Sequence, residues 1–185
     1  MEDNKGKGAE TMLDLEKYIG VVPDFPKKGI SFKDISPLLR DPEAFHEAID
    51  RLAEIAAEYD PEVFVGAEAR GFAFGAALAL KMGKGFVMAR KAGKLPGKTI
   101  SYTYTLEYGS ATLQVSEGAF EKAKRALLVD DLLATGGTFL AMKELVKKAG
   151  GEPLACLAVI ALEELHGEQL IGLPCRHLLM LSDSH

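Results

Sequence analysis

Short apolar runs alternate along this chain with stretches whose apolar residues recur at every third or fourth position. After Asp41-Pro42, a capping residue and a first-turn proline, Phe45, Ile49, Leu52, Ile55 and Ala56 fall on one face and predict a helix reaching about Tyr59. Val63 to Val65 reads as a short buried strand, and Phe72 to Met82 as an apolar, Ala-rich helix. Phe86 to Ala89 is a further buried strand. Thr99 to Val115 alternates polar and apolar residues around Tyr108-Gly109-Ser110, the pattern of a hairpin. Ala126 to Val129 is an apolar run, and Phe139, Leu140, Met142, Leu145 and Val146 follow with helical spacing up to Gly150-Gly151. Leu154 to Leu162 predicts a long strand, Glu163 to Leu170 a short helix, and His177 to Leu181 a last strand. Strands alternating with helices predict an α/β fold, a mostly parallel central sheet flanked by helices.

The N-terminal part is less regular. Residues 1–10 are polar and read as unstructured. Met12, Leu13, Leu15, Tyr18 and Ile19 suggest a short amphipathic helix ended by Gly20. Pro23, Pro26 and Pro37 argue against a helix between residues 22 and 37, while Ile30 and Phe32 alternate with Ser31 and Lys33 as in a short strand. With no repeat or interdomain linker, residues 1–185 read as one domain.

Composition narrows the function. Hydrophobic residues at 48% and charged residues at 26% suit an ordinary globular chain, and a net charge of −5 argues against nucleic-acid binding driven by overall charge. Cys156 and Cys175 sit in apolar runs and read as free buried thiols, and no Cys/His pair has zinc spacing. No apolar run is long enough to span a membrane, and the charged N-terminus lacks an apolar leader core. A cytoplasmic protein with neither membrane nor nucleic-acid partner is the expectation.

The candidate chemistry lies at residues 126–138. There the apolar run ends in Asp130 and Asp131, and the turn Leu132 to Thr138 contains Ala134-Thr135-Gly136-Gly137-Thr138 before the helix. Adjacent glycines let backbone N–H groups converge on an anion, and a helix N-terminus adds partial positive charge. Two carboxylates beside a phosphate nest make sense when the ligand also carries hydroxyls, as a phosphorylated sugar does. Gly66 to Gly71 forms a second strand-to-helix junction, with Arg70 flanked by Gly71 and suited to another anion. Arg90, Lys91, Lys94 and Lys98, mixed with Gly93, Pro96 and Gly97, read as a mobile basic loop. A Walker A loop is excluded, because Ala92 stands where its first glycine belongs.

The 126–138 stretch resembles the 5-phosphoribosyl-1-pyrophosphate (PRPP) motif of the type I phosphoribosyltransferases. Three further stretches make the chain similar to the adenine-specific members of that family from about residue 22 to 165. They are Pro23-Asp24-Phe25-Pro26 through Phe32-Lys33-Asp34-Ile35; Glu68-Ala69-Arg70-Gly71-Phe72; and Arg90-Lys91 through Gly93-Lys94-Leu95-Pro96 to Leu106-Glu107-Tyr108-Gly109. The resemblance implies a reaction of adenine with PRPP and Mg²⁺ to give AMP and pyrophosphate. It implies a homodimer, an N-terminal hood over about 20–40 and a lid over about 91–112. It places the 5′-phosphate on Ala134 to Thr138 with Leu132, the ribose hydroxyls on Asp130 and Asp131, and pyrophosphate among Arg70, Arg90, Lys91 and Lys94. It implies a base site at Ile30, Phe32 and Lys33, with Tyr108 nearby and Glu107 handling a purine proton. Relatives commonly hold Arg where this chain has Lys33, so recognition there is expected from the backbone. Mg²⁺ is expected to sit mainly on substrate oxygens and water rather than in a protein cage. A non-proline cis peptide is expected near Glu68-Ala69. The PRPP motif alone leaves 6-oxopurines and orotate open as acceptors, and the hood distinguishes them. A PRPP-sensing regulator would need a DNA-binding element, for which the residues before the hood are too few.

Overall fold

The computed structural model describes residues 12–106 and 109–182. The polar leader, Glu107 and Tyr108 lie outside the described residues. A 3₁₀ turn at Leu15–Tyr18 stands where an amphipathic helix was expected, with Leu15 buried as its anchor. β1 (Gly20–Pro23) pairs antiparallel with β2 (Ser31–Asp34), forming a separate two-stranded hood. The β1 strand was not foreseen, since Pro23 closes it and its residues are mostly exposed. The ban on a helix through residue 37 also fails at its end. α1 (Ser36–Arg40) carries Pro37 in its first turn, where a missing N–H costs nothing.

α2 (Pro42–Ala57) begins as expected, with the Asp41 carboxylate accepting from the N–H groups of Glu43 and Ala44. β3 (Val63–Ala67), α3 (Arg70–Met82) and β4 (Gly85–Lys91) follow, then the hairpin β5 (Thr99–Leu106) and β6 (Gly109–Ser116). β7 (Arg125–Leu133), α4 (Gly137–Lys148) and β8 (Glu152–Leu162) come next. The single short helix expected at 163–170 is a 3₁₀ turn at Glu163–Leu165, a left-handed residue at His166 and α5 (Glu168–Ile171). β9 (Cys175–Leu181) closes the sheet.

The seven-stranded sheet runs β5-β6-β4-β3-β7-β8-β9, parallel from β4 through β9 and antiparallel at the hairpin. Side chains of its central strands alternate between two cores. Phe64, Leu127, Val129 and Leu157 pack with Leu52, Phe74 and Leu78 of α2 and α3. Val63, Val65, Leu128 and Cys156 pack with Phe139, Met142 and Leu145 of α4. Burial on both faces is why these strands read as continuous apolar runs. Cys156 and Cys175 are free, the first buried and the second half-buried. Among the described residues no helix is long and apolar enough to cross a membrane.

The chain winds outward in both directions from β3 and β7. α3 leads from β3 to β4 across one face, and α4 leads from β7 to β8 across the other. The carboxyl ends of β3 and β7 therefore border a crevice at the switch point of the sheet, where open α/β folds bind ligands.

Candidate active site

β7 does not stop at the acids as its sequence suggested. It continues to Leu133, pairing Asp130 with Ala158 and Leu132 with Ile160 on β8. A backbone ladder is indifferent to side-chain charge, so the carboxylates ride on rigid strand rather than on loop. Beyond them the chain turns through Gly136, whose φ of 84° is left-handed, and enters α4. The first N–H groups of a helix lack intrahelical partners, which leaves those after Gly136 for an anion. Leu132, Ala134, Thr135, Gly136, Gly137 and Thr138 line a cavity of about 150 Å³, with Arg70, Asp130 and Asp131 at its rim.

The same acids and Thr138 also border a larger cleft of about 440 Å³ lined by Glu68, Arg70, Lys91 and Tyr104. Asp131 is buried, with 2% of its surface exposed. Its Oδ2 lies 3.1 Å from Nη1 of Arg70, yet both atoms are buried without an aligned hydrogen bond. Asp130 Oδ1 accepts the Asp131 N–H at 2.9 Å. Gly71 makes room for Asp130: a Cβ there would lie 2.9 Å from the carboxylate and 2.8 Å from the Val129 carbonyl. Burial, then the neighbouring Asp131 charge, pushes the Asp130 carboxyl well above the usual range. Burial also raises Asp131, against the opposing pull of Arg70.

This has a consequence for stability. The folded protein holds the Asp130 proton more tightly than the unfolded chain, whose Asp titrates near pH 3.9. That contribution is complete below the unfolded value and is lost as pH rises toward the folded one. Asp130→Asn keeps an acceptor for the Asp131 N–H but cannot ionise. It is expected to melt a few degrees above wild type at pH 7, since about 1 kcal/mol moves Tm by about 2–4 °C at this size. The difference should shrink toward pH 4. Calorimetry at both pH values checks it, and a variant less stable at pH 7 would mean that the fold stabilises the Asp130 anion.

Arg70 joins this cleft to the hood. Its guanidinium lies 5.1 Å from the centroid of the Phe32 ring, which also meets Phe25 edge-on at 5.2 Å. Phe32, Phe25, Val22, Ile35 and Arg70 line an apolar cavity of about 440 Å³. Only one edge of β2 is taken by β1. In an antiparallel strand alternate residues direct their N–H and C=O groups to the same side, so the other edge of β2 offers such groups to a ligand. Ile30 does not line this cavity. It is 42% exposed and spends its carbonyl on the Phe25 N–H and its own N–H on the Lys27 carbonyl. The Lys33 side chain is buried at 3% exposure and donates to the Ser31 hydroxyl at 3.1 Å, so it too stays out of the cavity.

The expected cation cluster is only partly assembled. Lys91 borders the large cleft, but Arg90 is held by Glu68, donating from Nε at 3.2 Å and Nη2 at 3.3 Å, and from Nη1 to the Lys94 carbonyl at 2.9 Å. Glu68 also accepts the Lys91 N–H, and the Arg90 contact followed by this one lowers its carboxyl below the usual range. Lys94 is exposed and outside both clefts. The Glu68–Ala69 peptide is cis, as the resemblance implied. The proposed proton carrier Glu107 and neighbouring Tyr108 lie outside the described residues. The sequence did not single out Tyr104, and it offered Glu68 as part of the 66–71 loop without its tie to Arg90. The alternation of β5 puts Tyr104 on the same face as Tyr102, which could have suggested Tyr104, but nothing in the sequence pairs Glu68 with Arg90 across 22 residues.

Comparison with known proteins gives the family of the chain. The family model for the phosphoribosyl transferase domain matches residues 37–170. An adenine phosphoribosyltransferase from Thermotoga petrophila is 53% identical over 153 residues, covering 83% of this chain and 90% of its own length. The crystal structure of the adenine phosphoribosyltransferase of Thermoanaerobacter pseudethanolicus gives a TM-score of 0.88 at 43% identity, covering 92% of this chain and 100% of that one. The Saccharomyces cerevisiae enzyme, complexed with adenine and an imino-altritol bisphosphate, gives 0.83 at 39% identity, with 89% and 96% covered. With its anion loop, paired acids and aromatic hood in one crevice, the chain belongs to the phosphoribosyltransferase family, among the adenine phosphoribosyltransferases.

Proposed function

We propose that this chain, working in the cytoplasm, transfers the 5-phosphoribosyl group of PRPP to adenine, giving AMP and pyrophosphate. One observation carries the reading: Arg70 touches both Asp131 and the Phe32 ring, so sugar site and base site are continuous. In this reading the loop Ala134 to Thr138, following Leu132, binds the 5′-phosphate, with Thr135 and Thr138 adding hydroxyls. That binding is remote from the reacting carbon and serves to orient it. Asp130 and Asp131 accept the ribose hydroxyls. As pyrophosphate leaves C1, positive charge grows on the sugar, and the same carboxylates stabilise it. Arg70 and Lys91 receive the leaving group, and Lys94 joins them when the basic turn closes. Arg90, tied to Glu68, holds that turn to the pyrophosphate loop rather than touching substrate. Phe32 stacks on adenine and the free edge of β2 reads its polar rim. Lys33 contributes backbone only, and Ile30, whose N–H and carbonyl are paired within the hood, holds the turn that leads into β2. Glu107 exchanges the purine proton, and Tyr108 contributes to the base site. The hairpin is the lid that keeps water from the reactive sugar.

Among the described residues no group of three or more potential ligands could cage a metal. The carboxylates lining the cleft are Asp130, Asp131 and the Arg90-bound Glu68, which form no such group, and this suits Mg²⁺ carried on substrate oxygens and water. When bound, Mg²⁺ neutralises charge on the pyrophosphate. A homodimer completes the proposal, with exposed Leu80 and Met88 as apolar surface for it. Release of pyrophosphate from PRPP is expected to require both adenine and Mg²⁺. Release equal without adenine would reject transfer to the base.

A further inference from the structure

We propose that Gly167, between the Glu163–Leu165 turn and α5, is a positioning residue that sets the geometry of the phosphate loop from behind. The inference rests on the reading of residues 134–138 as the 5′-phosphate site, which does not itself involve Gly167.

Two backbones meet here with no side chain between them. A Cβ built on Gly167 would lie 2.1 Å from the Ala134 carbonyl oxygen, 2.7 Å from the Gly136 nitrogen and 2.8 Å from the Thr135 carbonyl carbon. Viewed from the other side, a Cβ on Gly136 would lie 2.2 Å from the Gly167 carbonyl oxygen. Gly136 has a second reason to be glycine, its left-handed φ. Gly167 has none: its φ of −60° and ψ of −22° are ordinary right-handed helical values. An alanine adopts such a conformation without strain. Proximity is therefore what requires glycine at position 167.

The atoms it approaches are the peptide groups of the loop itself. Even one methyl must push them, because backbone offers no flexible tip to swing aside. The opposing wall is fixed. Ile171 is buried, and the Lys143 ammonium, rooted in α4, donates to the Ile171 carbonyl at 2.6 Å. α5 is thus tied to the same helix whose N-terminus faces the phosphate. A methyl at 167 cannot readily lift α5 away, so the strain falls on Ala134 to Gly136.

The test is direct binding of ribose 5-phosphate and, separately, inorganic pyrophosphate to wild type and to Gly167→Ala, with melting temperatures for both. Gly167→Ala is expected to weaken ribose 5-phosphate by about 10- to 100-fold, the loss of one hydrogen bond from the displaced loop to the charged phosphate. Pyrophosphate affinity should stay within about twofold and Tm within a few degrees, because Arg70 and the 66–71 loop are untouched. Unchanged ribose 5-phosphate affinity in the variant overturns the proposal and leaves the site reading intact. Equal loss of both ligands, or failure to fold, also overturns it, since the role would then be general packing. If wild type does not bind ribose 5-phosphate, the phosphate-site reading itself falls and takes this proposal with it.

Discussion

Replacing Asp130 and Asp131 together by Asn is expected to lower kcat/KM for PRPP by about 10²- to 10⁴-fold while the fold survives. Each carboxylate offers a ribose hydroxyl a charged acceptor, worth about 1.5–3 kcal/mol. Two such losses amount to about 3–6 kcal/mol, at about 1.4 kcal/mol per decade. The fold should tolerate the change because both amides fit the carboxylate volumes and the backbone ladder with β8 is unaffected. Arg70 loses its partner and becomes freer to move. Steady-state kinetics, with circular dichroism as the check on folding, decides the matter. A double variant within a few-fold of wild type would mean that the acids do not hold the sugar.

Adenine is expected to outcompete hypoxanthine and guanine by about 10⁴-fold in a PRPP-limited reaction, and Phe32→Ala to lose most of the activity. Adenine carries a donor at N6 beside an acceptor at N1, whereas the 6-oxopurines carry an acceptor beside a donor. Backbone groups on a strand edge cannot reverse their order as a side-chain amide can. A wrong base therefore leaves buried groups unpaired, at about 1–3 kcal/mol each, and sites built on such bonds discriminate by about 10⁴-fold or more. One face of the Phe32 ring is covered by the Arg70 guanidinium, so stacking of the base on the other face couples base binding to the position of the cation that meets pyrophosphate. Comparable yields of IMP or GMP would reject adenine specificity and leave phosphoribosyl transfer standing.

Residues 126–138 were legible because a buried strand, two acids and a glycine turn are local features, each written in adjacent letters. The α/β order was legible for the same reason: apolar runs on strands buried from both faces, and a helical period between them. What the sequence hid is mostly non-local. That β7 passes straight through Asp130 and Asp131 depends on its pairing with β8. The capture of Arg90 by Glu68 joins the end of β4 to the loop after β3. Pro37 misled because proline excludes only helix interiors, and α1 begins beside it. Gly167 fell inside the short helix expected over 163–170, and only the approach of the loop at 134–136 explains why it is glycine.

The hairpin has an uneven stiffness. β5 and β6 are zipped from Thr99↔Ser116 to Leu106↔Gly109, while β6 joins the main sheet at Arg90↔Gln114 and Lys91↔Leu113, with the Ala92 N–H donating to the Thr112 carbonyl just beyond. Gln114 stands at this root, accepting the Gly93 N–H and donating to the Ser101 hydroxyl. An outward swing of this blade would break those rungs, lift Tyr102 and Tyr104 off the core beside α4 and release the Ser101 carbonyl from the Lys148 ammonium, while leaving the β5–β6 pairing intact. Such a motion leaves the strand content of the protein unchanged. Circular dichroism would be blind to it, while a distance probe between β6 and the crevice would register the full stroke.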